Sequence, residues 1–301
     1  MDRGYYNTNI KPLLIEDTLP VIQFFQGSGL IKRQLFCDTC QADMKMFSYK
    51  IIDNFVWKCV SRECPKFYCP QSIRQGSFFS KSKLSLQNWV HIIYCWSVKL
   101  TQKQTAAFTN ISTRTIGKCY SCIREICDIH LKNMRLVLGG PGAVIQLDES
   151  LFSKKAKYHR GRGGAQIWVF GILDTSQTPA VGYMEIVEKR DANTLLPIIQ
   201  RIVRPGSVIY SDEWRAYRNI QTLLGLEHKT VNHSLHFVDP VTGVHTQAIE
   251  AYWSSKKSVI KTMRGCRRKL LQSYIAEFMW RDRFMNDPLT NICHHISLQH
   301  P

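Results

Sequence analysis

Three acidic residues stand in settings where a carboxylate can do chemistry: Asp148 in AVIQLDES, Asp212 in GSVIYSDEW and Glu250 in HTQAIEAYWSSKK. The first two end short, β-branched apolar runs, and the third opens a basic amphipathic segment of helical period. Strand ends and a helix start can bring acids distant in sequence into one cluster, and carboxylates held close together call for cations between them. Mg²⁺ and Mn²⁺ prefer such hard oxygen donors. Two cations about 4 Å apart can hold the attacking and leaving oxygens of an in-line phosphoryl displacement, so phosphodiester chemistry is expected.

Each aspartate has an acidic neighbour, Glu149 and Glu213, that could be the ligand instead. Side chains alternate along a strand, so only one of each pair can face a given site. Glu250 is also favoured in a first helical turn simply by the helix dipole. His233 and His245 precede the third acid and are candidates for orienting a ligand, although histidines satisfied within the fold are as good a reading. Trp253, three residues after Glu250, reads as core or wall rather than as a base-stacking platform.

A second donor set lies upstream. Cys37 and Cys40 are separated by two residues and Cys59 and Cys64 by four, with a β-rich stretch between the pairs. Thiolates at such spacing suit a closed tetrahedral zinc site, and a module this small needs metal to stay folded. Cys69 competes as fourth ligand, and four reduced structural cysteines are the alternative to a zinc ribbon.

The elements that must position these groups follow from periodicity. After an N-terminal segment (1–30) that can hold one short helix, residues 31–80 read as the zinc ribbon. Residues 81–138 turn helical: LSLQNWVHIIYCWSVKL, TQKQTAAFTN and STRTIGKCYSCIREICDIHL, the last two resembling a helix-turn-helix with Thr113, Arg114 and Lys118 near the start of the reading helix. A linker, LGGPGA, marks a boundary. From 143 to 285 the pattern gives a strand, a hairpin (QIWVFGILD and AVGYMEIVEK), a helix (NTLLPIIQRIV) and the strand SVIYSD. EWRAYRNIQTLL reads as a helix, HKTVNH as a short strand and TQAIEAYWSSKKSVIKTMR as a long helix. Residues 286–301 read as a C-terminal tail. That order describes an α/β domain of ribonuclease H-like type, in which the first and fourth strands lie side by side and bring Asp148 to Asp212.

Forty Lys and Arg against 23 Asp and Glu give a net charge of +17, and 44% of the residues are hydrophobic, so a basic protein with a substantial core and an anionic macromolecular partner is expected. Two clusters carry much of this charge. SKKAKYHRGRGG holds Lys154, Lys155, Lys157, Arg160 and Arg162, and KKSVIKTMRGCRRK holds Lys256, Lys257, Lys261 and Arg264 among seven basic residues. Charge runs are usually solvated faces, yet both border the expected acid site, where phosphate contacts would give affinity with little sequence preference. The N-terminus has no basic start followed by an apolar core, no segment is apolar enough to span a bilayer, and an intracellular location with reduced cysteines is expected.

QLDES, the hairpin ending in FGILD, RPGSVIYSDEWRAY, VNHSLHFVDPVTGVHTQAIEAYWSSKK and LQSYIAEFMWRDRF together resemble the transposases of the Merlin superfamily and their bacterial insertion-sequence relatives, from about Cys37 to Phe284. The resemblance implies a DDE enzyme that cuts transposon ends at terminal inverted repeats in double-stranded DNA and joins them to target DNA. Its triad falls on Asp148, Asp212 and Glu250 with two Mg²⁺ or Mn²⁺, it carries one structural Zn²⁺, and it works as a homodimer or larger oligomer. The location would be the nucleus, or the cytoplasm in a bacterial host. Some bacterial relatives have Asn or His at the third position, so Glu250 aligns this chain with the acidic version. A host-retained DNA-binding protein without catalysis is the runner-up reading, and an RNA-directed nuclease of the same fold a third.

Overall fold

The computed structural model describes residues 3–14, 17–152, 166–232, 235 and 237–300. The chain forms two compact units, one of residues 1–127 with 286–301 and one of residues 128–285. Among the described residues no helix is long and apolar enough to cross a membrane.

The N-terminal unit begins with α1 (Arg3–Tyr5), which runs on through π and 3₁₀ turns, and α2 (Leu19–Gly27). A small antiparallel sheet follows, built from β1 (Met44–Ser48), β2 (Phe55–Cys59) and β3 (Pro70–Ser72) in that order. Buried Asp53, in the turn between β1 and β2, ties this sheet to the helices. It accepts from Arg74 Nη2 at 2.7 Å and from the Leu86 N–H at 3.0 Å, and the same guanidinium donates to the Ser82 and Leu84 carbonyls. Both charges of the pair are hydrogen-bonded on several sides, the condition under which a buried ion pair is tolerated.

Leu86 opens α3 (Leu86–Ser97), capped by the Ser85 hydroxyl. Nine of its residues are buried, so it is the core of this unit. A capping box at Thr101 starts α4 (Gln102–Thr109), and a turn with Asn110 in the left-handed region leads to α5 (Thr113–Asn133). The Tyr120 hydroxyl, hydrogen-bonded with Thr105 Oγ1 and donating to the Leu100 carbonyl, pins α4 to α5.

The second unit holds a five-stranded sheet of order β6-β5-β4-β7-β8. β4 (Val144–Leu151), β5 (Trp168–Asp174) and β6 (Val181–Val187) form an antiparallel meander, and β7 (Val208–Asp212) and β8 (Glu227–Val231) add in parallel. The crossover from β6 to β7 is α6 (Ala192–Ile202), capped by Asp191. The first and fourth strands of this domain are thus neighbours, as the sequence order implies. α8 (Gln247–Thr262) packs on β4 and β5, and α9 (Arg268–Phe284) on β6. β5, six of whose seven residues are buried, is covered on both faces.

Three sequence expectations differ from the structure. EWRAYRNIQTLL is a 3₁₀ turn (Arg215–Tyr217) followed by a short helix, α7 (Ile220–Leu224), because the Asp212 carboxylate takes the Trp214 N–H and the Trp214 indole is tied to the Arg190 carbonyl. The unit boundary falls inside α5, after Cys127, rather than at LGGPGA, because α5 continues unbroken and its later turns pack within the second unit, His130 on Phe284. Residues 286–301 are no tail: α10 (Pro288–Gln299) buries Leu289, Ile292, Cys293 and Ile296 and packs on α3. Its apolar stripe is interrupted in sequence by His and Asn, which hid it.

Candidate functional site

The acid site is built at the ends of β4 and β7. In the register of the sheet, Gln146 pairs with Tyr210 across the parallel β4/β7 ladder, which puts Asp148 and Asp212, two residues further along each strand, on one face. Asp148 lies opposite Gly171 of β5. A Cβ at Gly171 would come 2.3 Å from Trp253 Cζ2 and 2.7 Å from Cη2, so the glycine is what lets α8 close onto this face. The Ile249 N–H donates to Gln146 Oε1 at 3.0 Å, fixing the first turn of α8, and with it Glu250, over the face that carries Asp148.

Gly171→Ala should therefore lower stability by about 1–3 kcal/mol, the usual range for overpacking. Urea denaturation measures it, and Gly171→Ala with Trp253→Leu should recover most of the loss.

Burial, then the charge of Glu149, raise Asp148 to about 7, with Asp212 adding to the rise. Trp253 Nε1 is buried beside the site, and the indole favours the ionised form of Asp148. Carboxylates crowded in this way fit a divalent cation, because a positive charge removes the cost of ionising them together. Glu250 is exposed on α8, and its Oε1 accepts from Thr246 Oγ1 at 3.4 Å. Among the described residues the cysteine quartet is the only group of three or more ligand atoms gathered within 4.8 Å, so Asp148, Asp212 and Glu250 share a region rather than a closed coordination shell.

The neighbouring glutamates are engaged elsewhere. Glu149 accepts a short hydrogen bond from the buried Tyr217 hydroxyl, with Arg190 Nη1 at 3.9 Å from its other oxygen, and burial raises its carboxyl to about 6. The Arg190 guanidinium lies 3.7 Å from the Trp168 ring centroid and 5.2 Å from that of Trp214. Exposed Glu213 accepts from Asn232 Nδ2 at 2.7 Å. Tyr217, Arg190, Gln146 and Gly171 had no sequence signal of their own: each acts through a partner distant in the chain.

Trp253 is core, 4% exposed. His245 is half-buried and among the described residues its Nδ1 has no hydrogen-bond partner; His233 lies outside the described residues, as do Lys154, Lys155, Lys157, Arg160 and Arg162. Lys256 departs from its expected role as a phosphate contact. It pairs with Asp282 at 2.5 Å, both side chains largely buried, and rests 4.5 Å from the Tyr252 ring centroid. The Tyr252 hydroxyl donates to the same Asp282, so this lysine joins α8 to α9. Lys257 Nζ lies 5.6 Å from the Phe152 ring centroid. Lys261 and Arg264 are exposed, as are Arg114 and Lys118, one turn apart at the start of α5.

In the N-terminal unit, Cys37, Cys40, Cys59 and Cys64 bring their sulfurs together, with Cys37–Cys64 at 3.7 Å and Cys40–Cys59 at 3.6 Å. Four sulfurs about 2.3 Å from one zinc form a tetrahedron with edges of about 3.8 Å, so the quartet fits the ion. The backbone N–H groups of Cys40 and Thr39 lower Cys37 to about 6, whereas burial pushes Cys64 up to about 12. Without a cation the four thiols cannot ionise together. Cys69 is exposed and stands outside the group.

Residues 140–282 match the family of ISXO2-like transposase domains. A Haemophilus influenzae protein described as an uncharacterized transposase-like protein is 29% identical over 99 residues, 33% of this chain and 78% of that protein. Two solved structures show weaker likeness. The simian T-cell lymphotropic virus intasome in complex with PP2A regulatory subunit B56 gamma has 14% identity and a TM-score of 0.32, over 64% of this chain and 67% of that one. The Mos1 strand transfer complex has 11% identity and a TM-score of 0.20, over 67% and 76%. Over the region that carries Asp148, Asp212 and Glu250, the chain is thus similar to ISXO2-like transposase domains.

Proposed function

We propose that the chain is a DDE transposase of the Merlin type, whose ribonuclease H-like domain cuts double-stranded DNA at transposon ends and transfers the freed ends to target DNA. The observation that carries this reading is the placement of Asp148 and Asp212 on one face of adjacent parallel strands, where burial and neighbouring acids hold Asp148 near 7. Similarity of residues 140–282 to a transposase domain family supports it.

In this reading Asp148, Asp212 and Glu250 hold Mg²⁺ or Mn²⁺. When bound, such ions lower the pKa of an attacking water or 3′-hydroxyl and stabilise the departing oxygen. Asp148 and Asp212, fixed on rigid strands, set the position of the scissile phosphate. Trp253 and Phe152 wall the site on the α8 side and limit water beside Asp148. Tyr217 and Arg190 keep Glu149 turned away, so the two aspartates face the DNA without a competing ligand. Arg114 and Lys118 on α5, and Lys261 and Arg264 after the acid on α8, would grip phosphates.

The test is incubation of the full chain with DNA carrying the inverted repeats that flank its gene, with Mg²⁺ or Mn²⁺. Metal-dependent nicking at the repeat ends followed by joining is the expected outcome. Tight repeat binding with no cleavage under any metal would replace this reading with that of a DNA-binding protein that does not use its acids.

A further inference from the structure

The small sheet of the N-terminal unit carries an aromatic and basic face that none of the groups above uses. Lys58 Nζ lies 5.0 Å from the Tyr49 ring centroid, 5.1 Å from that of Tyr68 and 5.7 Å from that of Phe47. Phe47 and Tyr68 are 5.3 Å apart, and Phe67 packs on Tyr68 at 4.9 Å. Tyr49, Phe67 and Tyr68 are 43%, 40% and 48% exposed, an apolar surface that a domain this small leaves open at a cost.

Two further observations say what the face is for. Tyr68 has φ of +59°, a left-handed conformation that is unusual for a bulky aromatic residue, and its N–H is fixed to the Cys59 carbonyl at 2.8 Å. The backbone beside a cysteine of the quartet thus holds the ring outward. Lys45 stands directly opposite Lys58 in the β1/β2 register, and like charges so placed repel. Among the described residues, neither they nor exposed Lys50 has an acidic partner, while Asp38 of the same unit is taken by Lys66. A lysine pair without a carboxylate, set among ring faces, calls for an anion that is also a flat π-system.

We propose that this face binds an unpaired DNA strand, with bases stacked on Tyr68, Phe47 and Tyr49 and phosphates on Lys45, Lys50 and Lys58. A duplex keeps its base faces hidden, whereas an unpaired strand exposes them, and stacking of this kind tolerates any sequence. The inference rests on the reading of DNA as partner but not on catalysis, so its failure leaves the acid site untouched.

Fluorescence anisotropy of a labelled thymidine 15-mer and of a labelled duplex, with the zinc-loaded full chain, tests it. Tyr68→Ala and Phe47→Ala should each weaken 15-mer binding by roughly ten- to hundred-fold, with duplex affinity within about two-fold. Tyr68→Trp should keep the binding. Lys45→Gln, an exposed change that leaves the fold intact, should reduce the slope of log affinity against log salt by about 0.7. The proposal is overturned if the zinc-retaining alanine variants and Lys45→Gln all bind the 15-mer as wild type does, which would turn attention to a protein partner. Equal weakening on the duplex, or no 15-mer binding by wild type, would overturn it as well.

Discussion

Asp212→Asn is expected to lower DNA cleavage by roughly 10³-fold or more while repeat binding stays within about two-fold. The asparagine keeps the shape of the turn, since its side-chain oxygen can still accept from the Trp214 N–H, which donates to Asp212 Oδ1 at 3.0 Å. What it removes is a negative charge beside Asp148. Asp148→Asn should lose as much, and Glu213→Gln should change cleavage by no more than about two-fold, because Glu213 is exposed and accepts from Asn232. Gel assays of nicking and of repeat binding on one preparation separate the two effects. Loss of both together in Asp212→Asn would mean a damaged fold, and a cleavage rate near wild type would remove Asp212 from the chemistry.

Zinc removal should have the next largest effect. The sheet of the N-terminal unit has three strands of three to five residues. Its sulfur quartet already has the spacing of a zinc tetrahedron. In modules of this size the ion contributes on the order of 10–16 kcal/mol of apparent binding free energy, which is folding free energy. The purified chain should contain one zinc. A strong chelator, or Cys64→Ser, should abolish specific repeat binding and leave β1 and β2 open to amide hydrogen exchange. Cys69→Ser should do neither, since that thiol is exposed and apart. A metal-free protein with protected β1 and β2 amides would reject the site.

Much of this arrangement was legible in the chain, for identifiable physical reasons. AVIQL and SVIY are apolar runs ended by acids, and such runs become strands whose ends carry function. The spacing of the cysteines picked out the quartet that the structure gathers. Sequence spacing could not separate Asp148 from Glu149, which are chemically alike; in the structure Glu149 takes the hydroxyl of Tyr217, sixty-eight residues away, and Asp148 shares a face with Asp212. Nor could it separate Lys256 from its basic neighbours. A charge run looks uniform in sequence, but one lysine faces inward to Asp282 on another helix. Gly171 reads as an ordinary strand glycine until Trp253 is seen to fill the space above it. In each case the deciding partner is distant in sequence, and tertiary packing makes the choice.

The measurement that tests the central claim most directly is mapping of the divalent ion by iron-generated hydroxyl radicals. Fe²⁺ replaces Mg²⁺, ascorbate and peroxide are added, and the sites of chain cleavage are read by mass spectrometry. Cuts clustered near residues 148, 212 and 250, suppressed by excess Mg²⁺ and absent in Asp148→Asn and Asp212→Asn, are the expected result. Cuts elsewhere, or cuts that persist in both variants, would show that these acids do not hold a common metal and would contradict the account.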